Sequence, residues 1–194
     1  MSDGAEQLRL SYAVMERVIA GMHSVGEDQH SALRGRMKYF QRMGFPADRP
    51  KRGARTGYSL EDLLQLVLAF ELLECGVAPV RAARAARTNW QFNRGAFARA
   101  AQGARSFLAM HPRALVELVD LSADAGDPVA DPFGTLGPED VGEWAQRPFV
   151  ERNAHAERSV LLVDVTRLLS VMWPLLGEHG VDVERFRSSV AALR

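Results

Sequence analysis

The sequence predicts a mainly α-helical protein, and three observations lead to that class. Apolar residues recur at spacings of three and four through most of the chain, the period of a helix face. Capping and breaking residues such as Ser59, Gly76 and Pro79 punctuate those runs at ordinary helix lengths. A single stretch, residues 45–58, suits neither a helix nor a core strand. With 194 residues, 47% apolar and 25% charged, the chain can bury a core and does not have the composition of a disordered one. The length suits one domain or two small ones.

The first helix is expected over residues 6–22. There Leu8, Tyr12, Met15, Val18, Ile19 and Met22 share a face. His23-Ser24-Val25-Gly26 breaks the pattern. A second helix is expected over 28–43, with Asp28 as its N-cap and Gly44 just past its end. Leu33, Met37 and Phe40 form its apolar stripe, while Arg34, Arg36, Lys38 and Arg42 make its other faces basic, with Tyr39 among them. Residues 45–58 hold two prolines, two glycines and four cations, the composition of an exposed ribbon or loop.

Ser59 then opens a strongly apolar helix, and its spacing to Asp62 is that of a capping box. A helix so apolar on nearly all sides must be central. Gly76 ends it and Pro79 begins the next, over about 79–88. Further helices are expected over 93–110, 112–123, 138–146, 153–173 and 181–193. Residues 122–138, with three prolines, three glycines and three acids, are expected to be a linker. The aromatic sets Trp90, Phe92, Phe97, Phe107 and Trp144, Phe149, Trp173 are candidates for a ligand pocket, although such sets at helical spacing are more often core.

Charge is unevenly placed. Lys+Arg and Asp+Glu both number 24. Residues 1–105 nevertheless hold 16 basic and 10 acidic side chains, and residues 106–194 hold 8 and 14. Within 29–58, eight cations face only Asp48. Residues 75–116 hold seven arginines and no acid. A polyanionic partner for the N-terminal part accounts for this asymmetry; a basic surface paired with the chain's own acidic half is the plainer account.

Three pieces fall in order: Lys38-Tyr39-Phe40-Gln41 running to Gly44-Phe45-Pro46, then Arg55-Thr56-Gly57-Tyr58, then Ser59-Leu60-Glu61-Asp62-Leu63 leading to the Gly76 step. Together they resemble the DNA-binding head of MerR-type transcriptional regulators over about residues 28–87. The resemblance implies a winged helix-turn-helix head followed by an all-helical C-terminal region. It divides the chain into a head (1–88), a helical connector (89–121), the linker (122–138) and a helical dimerisation or effector region (139–194). The stretch 22–27 departs from the family. Either helix 6–22 takes the place of the family's first helix with a longer turn, or the head is rebuilt.

On this view the chain is a sequence-specific DNA-binding regulator. Helix 28–43 enters the major groove, which admits one helix, and 46–58 forms a wing on the adjacent minor groove or backbone. The candidate contacts are Arg34, Arg36, Lys38, Tyr39 and Arg42 on the helix, with Lys51, Arg52, Arg55 and Tyr58 on the wing. Arg81, Arg84 and Arg87 are weaker candidates for the DNA backbone. A homodimer matches palindromic half-sites, and its interface is assigned to Leu161, Val165, Leu168, Leu169 and Met172 in helix 153–173. RNA polymerase is a further possible partner. The alternative is an adaptor whose basic head docks an acidic protein.

Enzyme chemistry finds no pattern. His23, His30, His111, His155 and His179 form no His-x-x-x-His or His-Glu-x-x-His pair, and no Gly-x-Ser-x-Gly or phosphate-binding loop occurs. No cofactor and no metal is expected. Cys75 is the only cysteine, which excludes an internal disulfide and a Cys-rich zinc site. No apolar run reaches membrane-spanning length. A cytoplasmic, nucleoid-associated protein is the expectation.

Overall fold

The computed structural model describes residues 8–46, 57–88, 90–110, 133–146 and 160–193. Helix α1 spans Tyr12–Met22. Ser11 caps it by accepting from the Val14 N–H, and Met15, Val18 and Ile19 are its buried stripe. A 3-10 turn at Glu27–Gln29 then leads into α2, His30–Arg42. Asp28 is therefore not the N-cap of α2. Gln29 holds that place, without a side-chain cap bond. At the other end Gly44 takes φ +74, the left-handed conformation that closes a helix and that glycine adopts most cheaply.

Helix α3, Leu60–Glu74, is the centre of the molecule. Its capping box is complete. Ser59 Oγ accepts from the Asp62 N–H at 3.1 Å, and Asp62 Oδ2 accepts from the Ser59 N–H at 2.7 Å. Every residue from Leu63 to Phe70 is buried, Gln65 included. Helix α4, Pro79–Thr88, presents its alanines inward. Helix α5, Trp90–Ala101, is fixed to α4 by Asn93, whose side-chain N–H groups donate to the carbonyls of Ala85 and Ala86. Trp90 donates its indole N–H to the Glu61 carboxylate, tying α5 to the start of α3.

A small sheet follows, where an all-helical C-terminal region was expected. Strand β1 is Phe107–Met110, β2 is Phe133–Leu136 and β3 is Leu161–Asp164, in the order β2-β1-β3 with both pairings antiparallel. The register sets Leu108 opposite both Thr135 and Val163. The expected helix over 93–110 therefore stops at Ala101, and the expected linker over 122–138 contains β2. The expected helix over 153–173 begins only at Val165. The cause is burial: Leu108, Ala109 and Met110 are covered on both faces. Such strands are continuous apolar runs with no alternation, and period alone cannot tell them from buried helix. The expected helix over 112–123 lies outside the described residues.

Helix α6 is the short Val141–Gln146. Helix α7, Val165–Glu178, is capped by Asp164, whose Oδ1 accepts from the Arg167 N–H at 3.0 Å. It runs straight through Trp173-Pro174, where the sequence suggested a stop. Pro174 and Ser170 are both on the exposed side, so the carbonyl that Pro174 leaves without its helical donor faces water. Helix α8 is Val183–Ala191.

One hydrophobic cluster joins α1 through α5 with β1, β3, α7 and α8. It includes Met15 and Ile19 of α1, Phe40 of α2, Phe70 of α3, Phe97 of α5, Met172 of α7 and Phe186 of α8. The core is thus continuous across the boundary expected at residue 88. A second, smaller cluster of Ala109 and Leu136 lies on the sheet. Among the described residues no helix is long and apolar enough to cross a membrane.

Candidate nucleic-acid interface

Helix α2 sorts its residues sharply. Leu33, Met37 and Phe40 are 4% exposed or less and fix one face to α1 and α3. Arg34, Arg36, Lys38, Tyr39 and Arg42 are all exposed, and α2 itself carries no acid. Ser31, Gly35, Lys38 and Arg42 share the face opposite the buried stripe. Nothing lies within 4 Å of where a Gly35 Cβ would stand. Its lack of a side chain therefore has no packing reason among the described residues.

The candidate contact residues of α2 are held differently. Arg34 Nε donates to Oε1 of Glu16 on α1 at 2.6 Å, and that hydrogen bond raises the Arg34 pKa. Glu16 is a buried carboxylate, with His30 Nδ1 at 3.9 Å from the same oxygen. One edge of the Arg34 guanidinium is thus fixed while the side chain as a whole stays more than half exposed. Arg42 lies 5.9 Å from the Tyr39 ring centroid, a cation–π distance. Arg36 lines two hollows between α2 and α3, one shared with His23 and Glu74, the other with Tyr39 and Leu73.

Of the candidate wing residues, Lys51, Arg52 and Arg55 lie outside the described residues. Tyr58 is inside them and is part of the fold. Its hydroxyl accepts from Gln41 Nε2 at 2.5 Å, and its ring stands 6.5 Å from that of Tyr12. Backbone bonds in both directions, at 2.8 and 2.7 Å, pair Tyr58 with Leu10, just before α1. The basic stretch is therefore anchored at both ends, by buried Phe45 and Pro46 after α2 and by the Leu10–Tyr58 bridge before α3.

Helix α4 lies beside this surface. Arg87 Nη1 donates to the Gly44 carbonyl at 3.2 Å, so the arginine side of α4 meets the end of α2. Arg84 is exposed and Arg81 half-buried.

The residues assigned to a dimer interface are elsewhere. Val165, Leu168, Leu169 and Met172 are 8% exposed or less, inside the core of a single chain, and Leu161 is half-buried. The apolar period of that segment signals burial but does not say against what. These four buried side chains are already packed against their own chain. Of the aromatic sets considered for a pocket, Trp144 is in α6 and Phe149 lies outside the described residues. Phe97 is core with Trp90 against it, Trp173 packs on Phe186, and Phe92 is exposed.

Glu16 is the residue that the sequence reading missed. Its signal was present: it lies four residues after Tyr12 and three before Ile19, an acid in phase with an apolar stripe. Among the described residues no group of three or more His, Cys, Asp or Glu side chains is placed to hold a metal. No family model, curated protein or solved structure matches the chain.

Proposed function

We propose that this protein is a sequence-specific DNA-binding transcriptional regulator, with α2 in the major groove and the basic stretch 46–58 as a wing beside it. The observation that carries the reading is the outer face of α2. It is cationic, free of acid and backed by a rigid apolar stripe, with Gly35 at its centre offering nothing that would keep base edges away. Phosphates and guanine edges take arginine and lysine from such a helix. The Leu10–Tyr58 bridge supports the wing, because it holds the far end of the basic stretch beside the helix pair. The resemblance to the MerR-type head supports the same arrangement. A homodimer on paired half-sites, and contact with RNA polymerase, belong to this proposal.

The test is selection from random duplexes followed by a mobility shift at controlled salt. Expected are a recovered consensus and an affinity that falls steeply with salt. Arg36→Ala or Lys38→Ala should weaken binding. Equal affinity for unrelated duplexes would make the protein an architectural binder instead.

A second reading is an adaptor for a protein partner. What favours it is an apolar hollow of about 350 Å³ along the same face, lined by Ala32, Tyr39, Leu73 and Pro79 among others. A protein retained after nuclease treatment, with no duplex shift, selects that reading.

A further inference from the structure

A cleft of about 290 Å³ lies on another part of the molecule, where the ends of α1 and α3 meet β3 and the first turns of α7. Its volume is at the lower end of the range for small-molecule sites. Met22, Leu162, Leu168 and Val171 give it an apolar wall. Leu162 and Val171 are about 40% exposed, two of the few large apolar side chains in the described residues that water reaches. Among the described residues none fills this wall.

Two charges of opposite sign stand in the cleft without serving each other. Glu71 is half-buried on α3, and its carboxylate takes no hydrogen bond from any described residue. His23 Nε2 stands 3.9 Å from it, beyond hydrogen-bond reach. That nitrogen is itself buried without a partner, on a side chain only 9% exposed. Burial lowers the imidazole's pKa, which keeps it neutral at pH 7, so it brings Glu71 no charge. A carboxylate partly withdrawn from water and left unpaired is costly and favours an incoming cation. Across the cleft, the Arg167 guanidinium has no carboxylate within 4 Å among the described residues, while the neighbouring Asp164 is already engaged by Arg105 at 3.3 Å.

We infer that the cleft binds a small zwitterion with an apolar arm, the chemistry of an apolar α-amino acid. Glu71 takes the ammonium, Arg167 the carboxylate, and Met22, Leu162, Leu168 and Val171 the arm. This inference does not depend on DNA binding. A metal ion fits poorly, since two carboxylates beside an arginine make no ligand set.

The test is titration of the isotope-labelled full chain with L-leucine, L-methionine and L-phenylalanine, each to about 10 mM, where millimolar affinity registers. Saturable shifts are expected at the amides of Leu162–Val171. Cys75 lines the cleft and is the only cysteine, so alkylation by iodoacetamide should slow as the site fills. Isoamylamine and isocaproate, which each lack one charge of leucine, should bind about tenfold more weakly or worse. Glu71→Gln and Arg167→Gln should each weaken binding by about the same factor, and Val171→Trp should abolish it by filling the wall. The inference is overturned if none of the three amino acids shifts those amides. It is equally overturned if binding survives removal of both charges, which would leave an apolar hollow without the proposed selectivity.

Discussion

Gly35→Ala separates a helix that merely displays charge from one that is pressed against DNA. Gly35 is in the middle of α2, on the exposed face, and an added Cβ meets no atom of the described residues within 4 Å. Replacing glycine by alanine inside a helix should therefore stabilise the fold by about 1 kcal/mol, through helix propensity and a stiffer unfolded chain. For a chain of this length that raises Tm by about 2–4 °C. If α2 lies in the major groove, the same methyl group enters a packed interface. Overpacking of that kind costs about 1–3 kcal/mol, which reads as about 5- to 150-fold weaker binding to the selected duplex. Stability and affinity should thus move in opposite directions. Thermal denaturation and a mobility shift on one preparation measure both. A variant that melts higher and binds as tightly as the parent would refute the placement of this face against DNA. Loss of both stability and binding would refute the claim that the space beside Gly35 is open.

The remaining expectations concern the supports of that face. Ser59→Ala removes the acceptor for the Asp62 N–H; it should cost about 1 kcal/mol, read as a lower denaturation midpoint, and Ser59→Thr should keep most of it. Glu16→Gln keeps the shape of the α1–α2 contact and removes its charge, so Arg34 should lose its fixed orientation; DNA affinity should fall about tenfold with the helix content unchanged by circular dichroism. Burial lowers the pKa of His23 from its ordinary 6.5, so the unfolded chain takes the proton first and stability should fall as pH drops below about 6.5. The groups facing that imidazole are Glu71, Glu74 and Arg36. Glu71, whose carboxyl is raised first by burial and then by Glu74, acts in the opposite sense nearer 4.5. Denaturation of His23→Gln at about pH 7.5 and about pH 5.5 should show a flatter dependence than the parent.

What the sequence disclosed follows from how local each signal is. The capping box at Ser59 and Asp62, the Gly44 and Gly76 stops and the apolar stripe of α2 all act within one or two helical turns, and each is found in the structure. The start of α2 was misjudged by two residues because Asp28 is in a 3-10 turn, a conformation that a capping signal does not distinguish. The sheet was invisible for a different reason. Its strands are four residues long, β1 is covered on both faces, and β3 joins it from more than fifty positions away. The cationic face of α2 could be read because solvent leaves a periodic mark. The Glu16–Arg34 bond could not, since it links two helices 18 residues apart and nothing in either helix specifies the angle at which they cross.

Helix α1 ties these observations together. Glu16, on one side, grips Arg34 of α2. On another side Gly21 lets Leu175 of α7 approach so closely that a Cβ there would stand 2.7 Å from its Cδ2. Met22, at its end, belongs to the cleft that β3 and α7 complete. The helix that orients the proposed recognition surface is therefore held in place by residues beyond 160. A fragment cut at residue 88 would keep every candidate contact on α2, yet it would expose the side of α1 that Leu175 and its neighbours cover. The basic face is local in sequence but not in stability: the chain needs its C-terminal helices to present it.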